Sequence, residues 1–344
     1  MDVKVPRAAR TAATAVAALS LAACSSSASS PSATSGKQPA AAPAAAGSAV
    51  VHVGALSNGA AAEADLTVAQ QDAIRAELPA AVRDGGELKV VVGDLPAGTP
   101  PLDYIGSDQK TLTGSEPDLA RLVAAVLGLK PTFDHATWDN MFVGIDSGKE
   151  AVAFANITDT EKRKEKYDFA SYREDNLGFE TLKSSGWTFT GDYHVLAGKT
   201  VAVGSGTNQE KILLEWQTKL RGEGKDFAVK YYPDANAVLL ALTSGKIDVY
   251  LGANPGVAYQ VTQTAKSPNP TRVAGEYSGA GASLQGLIAA TTKKDSGLAK
   301  PVADAINHLI SSGDYAKWLK AWNLSTEAVP TSQVNPPGLP LTNS

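Results

Sequence analysis

The sequence contains almost no cysteine, since Cys24 is the only one in 344 residues. A disulfide framework is therefore excluded, and a lone cysteine in an exported chain needs an explanation of its own. Histidine is also scarce, and His52, His135, His194 and His308 lack the spacing of metal ligands, so we expect no metal site. Positive charge is not in excess: the formal net charge is −4, which argues against nucleic-acid binding.

Glycine patterns of nucleotide sites are missing as well. A dinucleotide-binding turn, G-x-G-x-x-G, needs a third glycine three residues after the second. That position is Gln209 after Gly204-Ser205-Gly206, and Leu284 after Gly279-Ala280-Gly281. Neither a P-loop nor a G-x-S-x-G motif occurs. We therefore expect no nucleotide cofactor, and the sequence indicates no other cofactor.

The apolar run near the start, Thr11–Ala22, is shorter than the roughly 18 residues of a membrane-spanning helix. It follows the basic residues Lys4, Arg7 and Arg10, as in a secretory signal. The run ends in Leu21-Ala22-Ala23-Cys24, which resembles the lipobox of bacterial lipoproteins. This pattern predicts a signal peptide over residues 1–23 and a lipid on Cys24. An unmodified thiol after an ordinary signal peptide is the alternative.

Residues 25–48 are almost all Ser, Ala, Pro, Thr and Gly, which cannot form a core. We predict a disordered tether over residues 24–66, although residues 50–66 are only weakly patterned and receive no role. Roughly 290 residues remain, enough for two lobes with their own cores.

After the tether, strand patterns alternate with helix patterns, which favours βαβ units on a parallel sheet. A repeated phrase, SGKEAV at 147–152 and SGKIDV at 244–249, ends a helix and begins a strand in each half. The predicted strands are Leu88–Gly93, 130–137, Ala151–Ile157, Lys199–Gly204, Phe227–Tyr232, Ile247–Gly252 and Leu284–Ala290. The predicted helices are Thr67–Arg83, broken at Pro79, and Glu116–Leu127, Trp138–Asp146, Gln209–Arg221, Ala235–Thr243, Leu298–Ser311 and Asp314–Trp322.

One stretch, Asn156–Tyr172, violates a local rule. Thr160 has the pattern of a helix N-cap, yet the residue three places on is Arg163 rather than Glu or Gln. A cation in the first helical turn is unfavourable by roughly 0.3–1 kcal/mol. A bound anion, held by the guanidinium, the helix amides and the hydroxyls of Thr158 and Thr160, would reverse this cost. The alternative is an ordinary solvated basic face.

An ordered set of motifs carries a family resemblance. The set comprises Gly114-x-x-x-Asp118-Leu119-Ala120, Trp138-Asp139, Thr158-x-Thr160-x-x-Arg163, Tyr167-Asp168-Phe169-Ala170-x-Tyr172, Ser205-Gly206-Thr207-x-Gln209-Glu210, Ser244-Gly245-Lys246-Ile247-Asp248 and Gly313-x-Tyr315-x-x-Trp318. Through it, Leu88–Leu324 resembles the extracellular solute-binding proteins of family 3, the polar amino-acid receptors of ABC importers. An actinobacterial variety of the family fits the flanking segments best.

The resemblance implies an α/β fold of the type II periplasmic-binding-protein class: a two-lobed clamshell with a doubly wound, mostly parallel sheet in each lobe. Residues 67–183 and 284–330 would form lobe 1, residues 190–275 lobe 2, and residues 331–344 an extended tail. The crossovers would lie near Leu177–Ser185 and Tyr277–Leu284, and Glu174 and Asp175 beside the first are interpreted as surface acids.

The resemblance also implies a set of ligand-binding residues. Arg163 would grip a ligand carboxylate with help from Thr158, and the backbone of Asn156 would point into the cleft. Trp138 would lie over the ligand, with a core position as the alternative, and Asp94 would meet an ammonium group, with a turn role as the alternative.

In the second lobe, Thr207 and Asn208 open a helix whose N-terminus can hold an anion; a well-capped helix without a ligand is the alternative. The family's ammonium-binding acid is replaced by Ala253, followed by Asn254, whose amide can accept a hydrogen bond but carries no charge.

The sequence thus predicts a monomeric receptor on the outer face of the bacterial cytoplasmic membrane, held there by the lipid on Cys24. It would bind an amino acid or a related small carboxylate and deliver it to an ABC permease, without enzymatic activity. A lipoprotein sensor, or a dehydratase or lyase on the same fold, is the alternative.

Overall fold

The computed structural model describes residues 47–93 and 98–342. Its strands are β1 (Ser48–Val53), β2 (Ala64–Ala69), β3 (Glu87–Val92), β4 (Tyr104–Ile105), β5 (Leu112–Thr113), β6 (Lys130–His135), β7 (Val152–Ala153), β8 (Tyr167–Leu182), β9 (Thr200–Val203), β10 (Ala228–Tyr231), β11 (Val249–Ala253), β12 (Thr271–Ser278) and β13 (Gly286–Lys293). Its α-helices are α1 (Asp72–Ala76), α2 (Ala80–Gly85), α3 (Ser115–Val126), α4 (Trp138–Ser147), α5 (Asn208–Gly222), α6 (Ala235–Thr243), α7 (Asn254–Thr264), α8 (Ala299–Ser312) and α9 (Asp314–Ala321). No helix within the described ranges is long and apolar enough to cross a membrane.

A nine-stranded mixed sheet runs through both lobes in the order β10-β9-β11-β8-β13-β7-β3-β6, with β12 also paired to β8. In lobe 1, β3 lies parallel to β6 and β7. In lobe 2, β9 lies parallel to β10 and β11. Each lobe therefore has a parallel βαβ unit, and antiparallel strands join the two lobes.

The long strand β8 changes lobes along its length. Its first part, up to Asp175, pairs antiparallel with β13 in lobe 1. From Asn176 onward it pairs with β12, and from Leu177 with β11, in lobe 2. The partner switch at Asp175–Leu177 is therefore one crossover, and the chain returns between Ser278 and Gly286.

The repeated phrase has the same structural role in both halves. Gly148 follows α4 with φ +73°, and Gly245 follows α6 with φ +72°. Only glycine adopts this left-handed conformation without strain, so each glycine ends its helix and directs the chain to the next strand.

The described part of the predicted tether is an ordered β-hairpin, so the expectation of disorder is wrong for residues 48–66. Strands β1 and β2 pair antiparallel, and Val51, Val53, Leu66 and Val68 are buried in the core of lobe 1. The predicted helical start at Thr67 is wrong for the same reason, because residues 64–69 belong to β2. Alternating apolar residues with one buried face favour a strand over a helix here.

The predicted helix after Thr160 is also absent. A single 3-10 turn, Arg163–Glu165, occupies this place, although the Thr160 hydroxyl still accepts a hydrogen bond from the Arg163 N–H at 3.1 Å. The unfavourable interaction expected between Arg163 and a helix dipole therefore does not arise, because one turn aligns too few peptide groups.

The C-terminal tail packs along lobe 1. Val334 forms a β-bridge with Ala170, and Leu339 forms another with Thr160. The Leu339 side chain is 1% exposed and joins the hydrophobic cluster of lobe 2. The tail thus connects the loop that carries Arg163 with the apolar core of the opposite lobe.

Candidate ligand-binding site

The candidate site lies between the lobes, at the carboxyl ends of β7 and β9, where α/β sheets commonly bind ligands. We call the loop 156–165 of lobe 1 the first jaw and the turn 204–208 of lobe 2 the second jaw. Loop residues follow the short strand β7, and turn residues precede α5. The two jaws contact each other in this structure.

Arg163 is the central cation of the first jaw. Its Nη1 donates to the carbonyl oxygen of Thr158 at 2.9 Å, and its Nη2 donates to the carbonyl oxygen of Gly206 at 3.3 Å. The guanidinium carbon lies 5.4 Å from the ring centre of Trp138 and 5.5 Å from that of Phe142. Aromatic faces at this distance attract a cation.

No carboxylate of the described residues lies within ion-pair distance of the Arg163 guanidinium. Burial lowers the pKa of Arg163 to about 10, and the negative charges of Asp175 and Asp159 oppose this effect. Arg163 is therefore charged at neutral pH. A half-buried cation without a contacting anion among the described residues is a site where an anionic ligand would relieve a desolvation cost.

Trp138 bridges the cleft from the start of α4. Its indole N–H donates to the Gly206 carbonyl at 3.4 Å, and its ring packs edge-to-face against Phe142 at 5.4 Å. Gly206 has φ +73°, and a side chain there would contact the Trp138 ring at 3.5 Å. This distance is an ordinary contact, so glycine at 206 is favoured by the left-handed backbone conformation and not by lack of space.

The second jaw is a capped helix start. The Thr207 hydroxyl accepts from the Glu210 N–H at 3.2 Å and donates to the Gly204 carbonyl at 2.8 Å, while Glu210 accepts from the Gly206 N–H at 2.6 Å. The side chain of Thr207 is therefore occupied by capping. The groups of this jaw that can bind an anion are the first backbone N–H groups of α5, at the positive end of the helix dipole.

Thr158 and Asn208, predicted to assist the ligand carboxylate, both bind Asp175 instead. The Thr158 hydroxyl donates to Asp175 Oδ2 at 2.7 Å, and Asn208 Nδ2 donates to the same oxygen at 3.1 Å. Asp175 is 1% exposed, so its interpretation as a surface acid is wrong. Sequence reasoning missed it because its burial depends on two segments distant in the chain.

The side chain of Asn156 points away from the first jaw. Its amide oxygen accepts from Arg173, whose guanidinium also contacts Glu116 and Glu327 in a buried ionic cluster of lobe 1. Asn156 has φ +51°, a conformation that asparagine tolerates better than most residues. Its side chain is therefore engaged within lobe 1, and the expectation that its backbone points into the cleft stays a prediction.

Asn254 stands at the start of α7, directly after Ala253. Its Oδ1 is buried, has no hydrogen-bond partner among the described residues, and lies beside Gly178. The position of the family's ammonium-binding acid is thus apolar at Ala253, with an uncharged acceptor next to it. Two further predicted residues, Asp94 and Cys24, lie outside the described residues.

The C-terminal tail forms hydrogen bonds with the backbone of the first jaw. Leu339 N–H donates to the Asp159 carbonyl at 3.2 Å, and the Glu161 N–H donates to the Leu339 carbonyl at 3.0 Å. The Gly338 N–H donates to the Glu161 carboxylate at 2.9 Å. These bonds fix the backbone on both sides of Thr160 and so restrict where Arg163 can lie.

Comparison with known proteins finds similar amino-acid-binding proteins. The L-cystine-binding protein TcyJ of Escherichia coli (strain K12) is 30% identical over 225 residues, which are 65% of this chain and 78% of that protein. The arginine-binding protein ArgT of Corynebacterium glutamicum is 25% identical over 238 residues, 69% of this chain and 75% of that protein. The amino acid ABC transporter substrate-binding protein AbpA from Streptococcus pneumoniae, solved bound to L-arginine, has a TM-score of 0.58 and 25% identity over 72% of this chain and 100% of that one.

The model of the bacterial extracellular solute-binding proteins, family 3, matches residues 91–325, which include the end of β3, both jaws and α9. The resemblance inferred from the motifs is thereby confirmed. The chain belongs to the bacterial extracellular solute-binding proteins, family 3, and has the two-lobed type II fold of periplasmic amino-acid-binding proteins.

Proposed function

We propose that this protein binds an amino acid between its jaws by the ligand's α-carboxylate, with Arg163 as the anchoring cation. The observation that carries the proposal is the half-buried guanidinium of Arg163, which contacts carbonyl oxygens in both lobes and no described carboxylate. A carboxylate placed there would gain charge-assisted hydrogen bonds worth roughly 1.5–3 kcal/mol each.

The groups around Arg163 suit such a ligand. Trp138 supplies an aromatic wall, and the N-terminus of α5 at Thr207 and Asn208 supplies positive potential from the second lobe. Thr158 and Asn156 shape the first jaw, and Asn254 offers an uncharged acceptor on the lobe 2 side. Asp94, which lies outside the described residues, remains a candidate partner for the ligand ammonium.

The relatives named above narrow the candidate ligands. Two bind L-cystine or arginine by name, and one solved structure holds L-arginine. We therefore propose L-arginine and L-cystine as the first compounds to test. Binding without turnover, followed by delivery to an ABC permease, is the proposed activity, and a lipid on Cys24 would hold the monomeric receptor at the outer face of the cytoplasmic membrane.

The experiment is a thermal-shift titration with paired compounds. L-arginine is compared with agmatine, which lacks the carboxylate, and with 5-guanidinopentanoate, which lacks the α-amino group. A ligand that binds only the folded state raises the melting temperature with its concentration. We expect agmatine to be inactive, while the response to 5-guanidinopentanoate reports how much the ammonium contributes. Equal responses to L-arginine and agmatine would contradict the assignment of Arg163 to the carboxylate.

A further inference from the structure

Asp175 lies where the two lobes and both crossovers meet. It is the last residue of β8 that pairs with β13 in lobe 1, opposite Gly286. The Gly279 N–H, in the returning crossover, donates to the Asp175 carbonyl at 2.9 Å. A single residue thus contacts both segments that connect the lobes.

Its carboxylate joins the two jaws. Oδ2 receives hydrogen bonds from Thr158 of the first jaw at 2.7 Å and from Asn208 of the second jaw at 3.1 Å. Asn208 Nδ2 is shared with the Gly279 carbonyl at 3.0 Å. Because Thr158 and Asn208 belong to different lobes, both bonds to Oδ2 can exist together only when the jaws are close.

The returning crossover passes close to the Asp175 carboxylate. A Cβ atom at Gly279 would lie 1.7 Å from Asp175 Oδ2, so glycine is required for the returning crossover to pass the carboxylate. No lysine, arginine or histidine of the described residues lies within ion-pair distance of Asp175. Burial raises the pKa of Asp175, whereas the bonds from Thr158 and Asn208 and the charge of Arg173 favour its ionised form.

We propose that Asp175 is the positioning residue of the cleft: its carboxylate connects Thr158 to Asn208 and thereby sets the spacing of the jaws in the closed protein. Thr158 and Asn208 then act on a ligand through Asp175, because their side-chain donors are already used. The inference deepens the proposed function and rests on it, since closing the jaws has consequences for affinity only if a ligand lies between them.

A ligand-free measurement tests the positioning role first. Asp175→Asn keeps the size of the side chain but removes its charge and replaces one oxygen by a donor. Glu180→Gln is the matched control, because Glu180 lies on the same strand, is equally buried and faces Thr271 in lobe 2. Hydrogen exchange of the full chain is measured without added ligand.

We expect Asp175→Asn to accelerate exchange at least ten-fold at the Gly279 amide and across the turn 206–210, with no such change in Glu180→Gln. Unchanged exchange in Asp175→Asn, or the same acceleration in Glu180→Gln, would overturn the proposal. If Asp175→Asn fails to fold, the same exchange measurement is made on Thr158→Val and Asn208→Ala. These variants keep Asp175 and remove the two side chains that donate to it.

The second measurement distinguishes an effect on closure of the jaws from an effect on the first association with the ligand. L-arginine and L-cystine are the probes, and rate constants are followed through the fluorescence change of Trp138, with Trp138→Phe to identify its share. Asp175→Asn should raise the dissociation rate at least ten-fold while the association rate stays within three-fold, and Glu180→Gln should alter neither. A loss confined to the association rate would contradict a closing role.

Double substitutions provide the final criterion. If Thr158, Asn208 and Asp175 act as one unit, the Kd of Asp175→Asn combined with Asn208→Ala should be close to that of the more affected single variant. If the fold-increase in Kd of the double variant equals the product of the two single fold-increases, the residues do not act as one unit. If neither probe binds the unmodified protein, the proposed ligand class fails, whereas the exchange experiment still decides the role of Asp175.

Discussion

Arg163 and Gly206 contact each other across the cleft: the guanidinium Nη2 of the first jaw donates to the carbonyl oxygen of the second at 3.3 Å. The Trp138 indole N–H approaches the same carbonyl at 3.4 Å. The Gly206 carbonyl therefore receives two donors from lobe 1.

Arg163→Ala is expected to remove ligand binding without loss of the fold. Truncating one member of a buried charged pair costs about 2–5 kcal/mol of binding energy, so the Kd for L-arginine should rise about 30-fold or more. The melting temperature without ligand should change by less than about 3 °C. Calorimetric titration and thermal unfolding measure the two effects.

Lys162→Ala is the control for this variant. Lys162 lies on the same loop, but its side chain is 71% exposed and paired with Glu165. Removal of the Lys162 side chain should leave the Kd for L-arginine within two-fold of the value for the unmodified protein. Equal losses in both variants would favour a solvated basic face over a specific site.

Gly206→Ala should weaken binding, whereas Gly224→Ala should not. Both glycines have φ +73°, and no atom lies within 4 Å of a Cβ at Gly224. An alanine in this conformation is strained by roughly 1–2 kcal/mol, so both variants should unfold at a similarly reduced temperature. Only Gly206→Ala displaces the carbonyl that meets Arg163, and calorimetry should show its Kd rising several-fold. Equal Kd values for the two variants would argue against a role for Gly206 in closure.

The buried cluster around Arg173 should be the main electrostatic determinant of stability in lobe 1. Arg173 contacts Glu327 and Glu116, and both acids are at most 2% exposed. Loss of one partner from a buried ionic cluster costs about 3–5 kcal/mol, so Glu327→Gln should reduce the free energy of unfolding in urea by this amount. Glu77→Gln, which breaks a surface pair with Lys300, should cost at most about 1 kcal/mol. Similar values for both variants would contradict the importance of burial.

Glu180 should make the protein less stable at neutral than at mildly acidic pH. Burial raises the pKa of Glu180 from 4.5 to about 7. Between these two values the folded state binds a proton that the unfolded state releases, so stability falls as the pH rises from about 5 to 7. Glu180→Gln should remove part of this fall, measured as the free energy of unfolding at both pH values. An unchanged pH dependence would show that Glu180 titrates normally.

The tail should contribute to both stability and affinity. Leu339 is 1% exposed, whereas Leu341 is 57% exposed. Leu339→Ala should cost about 2–5 kcal/mol of unfolding free energy. It should also raise the Kd, because the buried Leu339 side chain anchors the tail, whose backbone bonds to Asp159 and Glu161 hold the loop of Arg163. Leu341→Ala should change neither quantity, and an unaltered Kd in Leu339→Ala would show that the loop holds its position without the tail.

Much of the fold could be predicted because its elements are local. Helix α6 was predicted residue for residue, and α3, α4, α5, α8 and α9 within about two residues, since apolar periodicity and terminal glycines act over one or two turns. Strand β8 was not predicted, because two of its polar residues, Arg173 and Asp175, are buried by partners from distant segments. The hairpin of β1 and β2 was missed for the same reason, as its apolar face is buried only by packing against α3 and α9.

The α/β alternation and the family follow from the sequence alone, because motifs and periodicity are properties of short segments. The roles of Arg163 and Trp138 in the cleft stay predictions. Only the tertiary structure decided which side chains remain available to a ligand. It turned Asn156 toward Arg173, used Thr207 as a cap, and placed Thr158 and Asn208 on Asp175. These assignments depend on segments that are far apart in the chain and meet only when both lobes have folded, so no local pattern encodes them.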